Sequence, residues 1–193
     1  MRVREVWDVS DFDACSDQYY GETEDYNVII LSTDKSLQLT LLLEGLYNGT
    51  SLNKAQNASG NQYEGTVADQ VTIGLRHPSP PYANAAGPYT VNLNTDGTAL
   101  LEVPSSINQS YYIVVNHRNS IETWSGSPVS FSQPAIAYNF TSTAGQAFGS
   151  NLKWASGKYL IYGGDVNQDG AVDTADMTPV DNDAASFATG YLA

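Results

Sequence analysis

A two-residue rhythm restricts this chain more than any other feature. "LQLTLLL" (37 to 43) sets Leu37, Leu39, Leu41 and Leu43 against Gln38 and Thr40, so an extended segment would have one apolar side and one polar side. A helix cannot use that rhythm, because residues on one helical face recur every three or four positions. "DQVTIGL" (69 to 75), "PYTVNL" (88 to 93), "ALLEVP" (99 to 104) and "YYIVVN" (111 to 116) are similarly rich in β-branched and aromatic residues. "PVSF" (128 to 131) and "IAYNF" (136 to 140) add two shorter runs. "NTDG" (94 to 97) predicts a hairpin, since Asp-Gly supplies the positive φ that a tight turn requires. The stretches 53 to 65 and 77 to 87 read as loops. In the second, Pro78, Pro80 and Pro81 exclude a central strand. Seven or so short strands, with no helical period before the last twenty residues, predict a mainly β chain folded as an antiparallel β-sandwich.

At 193 residues the chain is long enough for one substantial core with a small appendage. Its 8 Lys+Arg against 21 Asp+Glu give a formal charge of -13, which opposes nucleic-acid partners and anionic membranes alike. No run of eighteen apolar residues occurs, so membrane insertion is not expected. Only 15% of residues are charged, and Gly, Asn, Ser, Thr and 13 Tyr are plentiful, a mix typical of extracellular β proteins. The single cysteine, Cys15, permits no internal disulfide, and bound calcium is an alternative staple. "MRVREVWDVS" is polar from its second residue and is no secretory signal, so export would require a signal on a longer precursor.

"DVNQDGAVDTAD" (165 to 176) carries the strongest chemical signal. Oxygen-bearing side chains fall at Asp165, Asn167, Asp169, Asp173 and Asp176, with Gly170 between the third and fourth. A solvated acidic surface needs no such regularity, whereas a loop wrapped around a calcium ion does. Val172, Met177, Val180, Ala184 and Phe187 then predict a short helix whose apolar side packs on the sandwich.

Three stretches resemble known modules. "YYGETEDYNVII" (19 to 30) resembles the closing strand of the GEVED domain of large secreted bacterial proteins, matched at Gly21, Glu22, Glu24, Asp25 and Tyr26. Residues 1 to 31 would then be the last two strands of such a domain, with "RVREVW" (2 to 7) as the other. Residues 32 to 162 resemble a β-sandwich, immunoglobulin-like or prealbumin-like, from secreted multidomain proteins of Bacteroidetes-type bacteria. "LLLEGLYNG", "LNTDGTALLEVP", "YYIVVNHRNSIETWS" and "PVSF" carry that likeness, which implies no settled activity. "GDVNQDGAVDTADMTPV", within 163 to 193, resembles half of a type I dockerin with its EF-hand-like loop. That resemblance implies that Asp165, Asn167, Asp169, Asp173 and Asp176 ligate calcium, with the Ala171 carbonyl as backbone ligand and Gly170 making the turn. An EF-hand ends on Glu, whereas dockerins use Asp as here, and a second loop is not found before "GYLA".

Other chemistries find little support. His77 and His117 read as surface polar residues, and two His with one Cys offer little to a zinc site or a Cys-His nucleophile. No Gly-x-Ser-x-Gly elbow follows a strand. Glu44, Glu102 and Glu122 would make a glycosidase only if two met in space. Trp124, Trp154 and the pair Tyr111 and Tyr112 offer rings to a sugar, although such residues more often fill cores and cross-strand contacts. Asn48, Asn57, Asn108 and Asn139 each head an Asn-x-Ser/Thr triplet, frequent by chance in such a composition.

The expected function is a non-catalytic, calcium-stabilised extracellular or cell-surface β module with a structural, adhesive or self-assembly role. Its partners would be copies of itself or other surface proteins, with glycans as a further option. The alternatives are a carbohydrate-binding accessory module of a secreted hydrolase and dockerin-style docking. The pair Asp181 and Asn182 weakens the last, since dockerins often place basic residues there. The chain is expected to be part of a longer protein.

Overall fold

Residues 2–6, 21–25 and 34–188 are described by a computed structural model, in which the chain divides into two units, Met1–Ser32 and Thr33–Ala193. In the first, β1 (Arg2–Val6) and β2 (Gly21–Asp25) pair antiparallel, with Arg2 opposite Asp25 and Val6 opposite Gly21. Cys15 and the apolar run Asn27 to Ile30 lie outside the described residues.

The second unit is mainly β. Its principal strands are β3 (Lys35–Thr40), β6 (Val67–Arg76), β7 (Asn84–Asn94), β8 (Thr98–Val103), β9 (Ser110–His117), β10 (Ser120–Trp124), β11 (Val129–Ser130) and β12 (Ala135–Asn139). Two minor hairpins accompany them, β4 (Gln56–Asn57) with β5 (Gly60–Asn61) and β13 (Lys153–Ala155) with β14 (Lys158–Leu160). One curled sheet runs in the order β10-β9-β6-β7-β8-β3-β12, with β11 also paired to β9. Alternate residues of these strands, among them Leu37, Leu39, Val71, Ile73, Leu93, Leu101, Ile113 and Val115, meet in a single core. The period-two rhythm is thus the imprint of one buried face. Each of those side chains contributes about 1.5–3 kcal/mol on leaving water. Among the described residues, helices are confined to short turns and α1 (Met177–Ala185). Among the described residues no helix is long and apolar enough to cross a membrane.

Four expectations are corrected. The strand begun at Leu37 ends at Thr40, and Leu41, Leu42 and Leu43 are all buried outside the sheet. Their backbone is satisfied instead by Gly97 and Ile161: Leu41 N–H donates to the Gly97 carbonyl at 2.8 Å and Ile161 N–H to that of Leu42 at 2.8 Å. The sheet is not wholly antiparallel, because β12 lies parallel to β3, with Ala135 beside Ser36 and Asn139 beside Thr40. Only strands joined by a tight turn are forced to reverse, and ninety-odd residues separate these two. The loop at 77 to 87 is shorter than expected, since β7 already begins at Asn84. Finally, the apolar side of α1 is not packed away. Val172, Met177, Val180 and Phe187 are all exposed, because the segment is tied to the sheet by polar contacts at its root.

The hairpin predicted at residues 94 to 97 forms between β7 and β8, and Gly97 has φ +84°. Asp96 locks the turn by accepting from the Thr98 N–H at 2.9 Å and hydroxyl at 2.6 Å, bonds that hold its carboxyl below the usual range. A side chain at residue 97 would sit 2.6 Å from the Leu41 carbonyl oxygen and 3.0 Å from Leu42 Cδ2. Replacing Gly97 by Ala should therefore cost more than the ~1 kcal/mol of a strained backbone alone, and urea denaturation should show a loss of about 2 kcal/mol or more. A loss below ~1 kcal/mol would mean that the Leu41 contact does not constrain the turn.

Candidate functional site

The acidic loop grows from the turn between β9 and β10. Ser120 bridges to Gly163, Ile121 N–H donates to the Tyr162 carbonyl at 3.0 Å, and Gly164 N–H reaches both oxygens of Asn119 at 3.1 and 3.0 Å. From the other side the Glu44 carboxylate accepts the Gly163 N–H at 3.1 Å and pairs with Lys153, whose ammonium is held above its ordinary pKa by that hydrogen bond and charge. Further along, Gln168 donates from Nε2 to the His117 carbonyl at 3.1 Å and the Asp165 carbonyl at 2.7 Å.

Within the loop, Asp165 and Asp176 are buried and turn inward, while Asn167, Asp169, Ala171 and Asp173 lie at the surface. Asp165 accepts the N–H groups of Asp169 and Gly170, both at 3.1 Å. Asp176 accepts those of Val166 at 2.8 Å and Asn167 at 3.1 Å through one oxygen, and that of Asp173 at 2.8 Å through the other. The Asp173 and Asn167 N–H bonds, joined by that of Val166, outweigh desolvation and hold the Asp176 carboxyl below the usual range, so it is ionised at neutral pH. Asp173 also caps the turn Thr174–Asp176, accepting from Ala175 N–H at 2.7 Å, and it forms a reciprocal capping box with Asp176, each side chain accepting the other's backbone N–H. Asn167 and Asp169 bond each other, Nδ2 to Oδ2 at 2.9 Å and N–H to Oδ1 at 2.9 Å. Gly170 turns the chain at φ +86°, with no heavy atom near the space a side chain would take.

The donor chemistry suits a hard cation, because carboxylate, amide and carbonyl oxygens are what calcium takes. Each bonded carboxylate keeps lone pairs beyond those given to N–H groups. Among the described residues, no three His, Cys, Asp or Glu side chains are gathered into a group able to hold a metal ion. The carboxylates are instead turned onto backbone N–H groups, and the expected ligand set also draws on Asn167 and the Ala171 carbonyl.

Beside the loop lies a polar network that the sequence did not reveal. His117, expected at the surface, is buried at 4% exposure and Asp69 at 2%. A bulge between Val67 and Asp69 turns Ala68 and Asp69 inward in succession, breaking the alternation. His117 Nε2 lies 3.2 Å from Asp69 Oδ2, and Nδ1 lies 3.1 Å from Ser120 Oγ and accepts the Asn119 N–H at 3.3 Å. Arg118 reaches the same Asp69 oxygen at 2.7 Å and Gln62 Oε1 at 3.0 Å. The order acid, imidazole, hydroxyl is that of a hydrolytic triad. Ser120, however, is only 2% exposed and does not line the polar pocket of Asp69, His117 and Arg118 beside it. The network fixes the turn on which the acidic loop stands.

The remaining candidates scatter. His77 is exposed and packs against the Tyr111 ring at 5.6 Å, while Tyr111 itself is buried against Phe131. Trp154 pairs with Tyr159 at 4.8 Å on the β13-β14 hairpin. Glu102 lies exposed on β8, Glu122 accepts from Trp124 and Glu44 serves Lys153. Of the suggested aromatics, only Tyr112 and Trp124 share a site.

Burial raises the pKa of Asp69, but the His117 hydrogen bond, the Gln70 N–H and the charge of Arg118 outweigh it and hold the carboxyl below its usual range. A depressed folded value gives stability that is present above the unfolded pKa of ~3.9 and is lost as pH falls through the folded value. Asp69→Asn should therefore cost about 1–3 kcal/mol at pH 7. In denaturant titrations across pH, that gap should close below about pH 4. A gap that persists unchanged at pH 2 would contradict an ionised Asp69.

No protein-family model matches the chain, and no curated protein or solved structure is matched by it.

Proposed function

We propose that this chain is a non-catalytic, calcium-stabilised β module of an extracellular or surface protein. Its curled sheet would be folded over at the β7-β8 corner as a β-sandwich, where a single residue pair, Leu93 with Ala99, joins the two halves. The proposal includes the resemblances to a GEVED-like end and a dockerin-like half repeat. One observation carries it: Asp165 and Asp176 are both turned inward within a loop of four aspartates, whose like charges repel, in a chain whose net charge is already -13.

Backbone N–H groups offset part of that repulsion, and bound calcium would supply the rest as counter-charge. Calcium suits the loop better than magnesium, because six or more oxygen ligands at ~2.3–2.6 Å fit the larger and less strictly octahedral ion. Closing the loop would in turn hold the turn His117–Ser120, since Gln168 and Gly164 bond to it. The role is structural or adhesive. The exposed apolar residues Met177, Val180 and Phe187 of the C-terminal segment support assembly with copies of the chain or with other surface proteins.

Differential scanning calorimetry with calcium and with chelator tests the proposal. Calcium at a hundred times its dissociation constant should stabilise the fold by about 2.7 kcal/mol, and Asp165→Ala and Asp169→Ala should each weaken that response. A melting curve unchanged by chelator, or equal calcium stabilisation of both variants and parent, would overturn it.

A further inference from the structure

An aromatic pocket of about 300 Å³ opens at the edge of the sheet, lined by Tyr82, Tyr112, Glu122, Trp124, Phe148 and Asn151 among others. We infer that this pocket binds a neutral sugar, one or two pyranose rings in size, on its aromatic walls.

Four rings meet there without stacking face to face. Tyr82 stands edge-on to Trp124 at 5.9 Å and 89° and to Tyr112 at 6.1 Å and 76°. Tyr112 lies 5.6 Å from Trp124 at 56° and 6.1 Å from Phe148 at 86°. Rings crossed this steeply form walls with free faces, and Phe148 and Tyr82 remain 59% and 38% exposed. Leaving so much aromatic surface in water is unfavourable for a side chain with no partner. Tyr82 is also held at φ +55°, a left-handed conformation costly for a bulky residue, with its N–H on the Ser79 carbonyl at 2.8 Å. Residues held in such conformations cluster at ligand clamps.

Charge selects the ligand. In a chain of net charge -13 the pocket is lined by one charged side chain, Glu122, which accepts the Trp124 Nε1–H at 2.7 Å, while Arg76, outside that lining, holds its guanidinium 5.7 Å from the Trp124 ring centroid. Glu122 and the net charge oppose an anionic ligand, Arg76 already supplies a cation to the Trp124 ring, and an uncharged ligand meets both conditions. Flat apolar walls take the C–H faces of a sugar ring, while the exposed Glu122 and Asn151 offer planar hydrogen-bonding groups to its hydroxyls. A proline-rich peptide also favours aromatic grooves, but it needs parallel ridges along an extended helix. Crossed rings around a pocket at the small end of the ligand-site range, ~300–1,000 Å³, do not provide them. The inference stands apart from the acidic loop, and both can be read on the same samples held at one calcium concentration.

The test is isothermal titration with cellobiose, maltose and N,N′-diacetylchitobiose, and with a polyproline peptide. At least one disaccharide should saturate a single site. Tyr112→Ala and Phe148→Ala should weaken it at least tenfold, while Trp154→Ala, on a different hairpin, should leave it within twofold of the parent. Because Phe148 is largely exposed, its variant keeps the fold, which melting verifies. Failure of all three sugars to saturate, binding of the peptide alone, or an equal loss in Trp154→Ala would overturn the inference.

Discussion

Everything in the second unit depends on burying one face of a curled sheet in one core. Leu37, Leu39, Ile73, Leu75, Leu93 and Ile113 are wholly inaccessible, and they come from four strands that can share an interior only if the sheet bends back upon itself. That bend leaves β7 and β8 joined by a single residue pair beyond their turn, so the turn must be tight. Gly97 makes it so by letting the Leu41 backbone approach. Leu41, Leu42 and Leu43 can then leave the ladder and still fill the interior, as Ile161 takes over their hydrogen bonding.

The same core explains why a charged cluster sits beside the acidic loop. The bulge in β6 sends Asp69 inward, where an unpaired carboxylate would cost several kcal/mol. His117, Arg118 and the Gln70 N–H answer it, and together they immobilise the turn from His117 to Ser120. Gly164 and Gln168 hang the loop from that turn, which places Asp165 at the boundary of the folded body. The loop is anchored at one end by neutral hydrogen bonds and crowded with aspartates at the other. The proposed role of calcium follows from that asymmetry.

Much of the sheet was legible because a half-buried strand writes its burial directly into the sequence. All seven expected runs correspond to strands of the sheet, the one at Val129–Ser130 only as a two-residue pairing. What stayed hidden depends on partners distant in the chain. Nothing local distinguishes Leu39, in the sheet, from Leu41, outside it. β12 could run either way along β3, and β10 was missed because "SIETW" alternates poorly between faces and is short. Asp69 and His117 are 48 residues apart; the pairing of β6 with β9 brings them near, and the bulge turns Asp69 inward. The acidic loop was legible as spacing, since its five oxygen-bearing side chains fall at fixed intervals. The inward turn of Asp165 and Asp176, against the exposure of Asp169 and Asp173, was not. Nor was the exposure of the apolar side of α1, since periodicity names a face without naming what covers it.

The central claim is that calcium completes the acidic loop and, through it, the turn on which the loop stands. The most direct measurement is a calcium titration of chelator-treated protein followed by amide resonances in ¹H–¹⁵N NMR spectra. The account predicts a single saturable site, with shifts concentrated in residues 165 to 176 and extending to His117–Ser120. Unsaturable shifts spread over scattered surface carboxylates, with the amides of Gly170 and Asn167 unmoved, would contradict it.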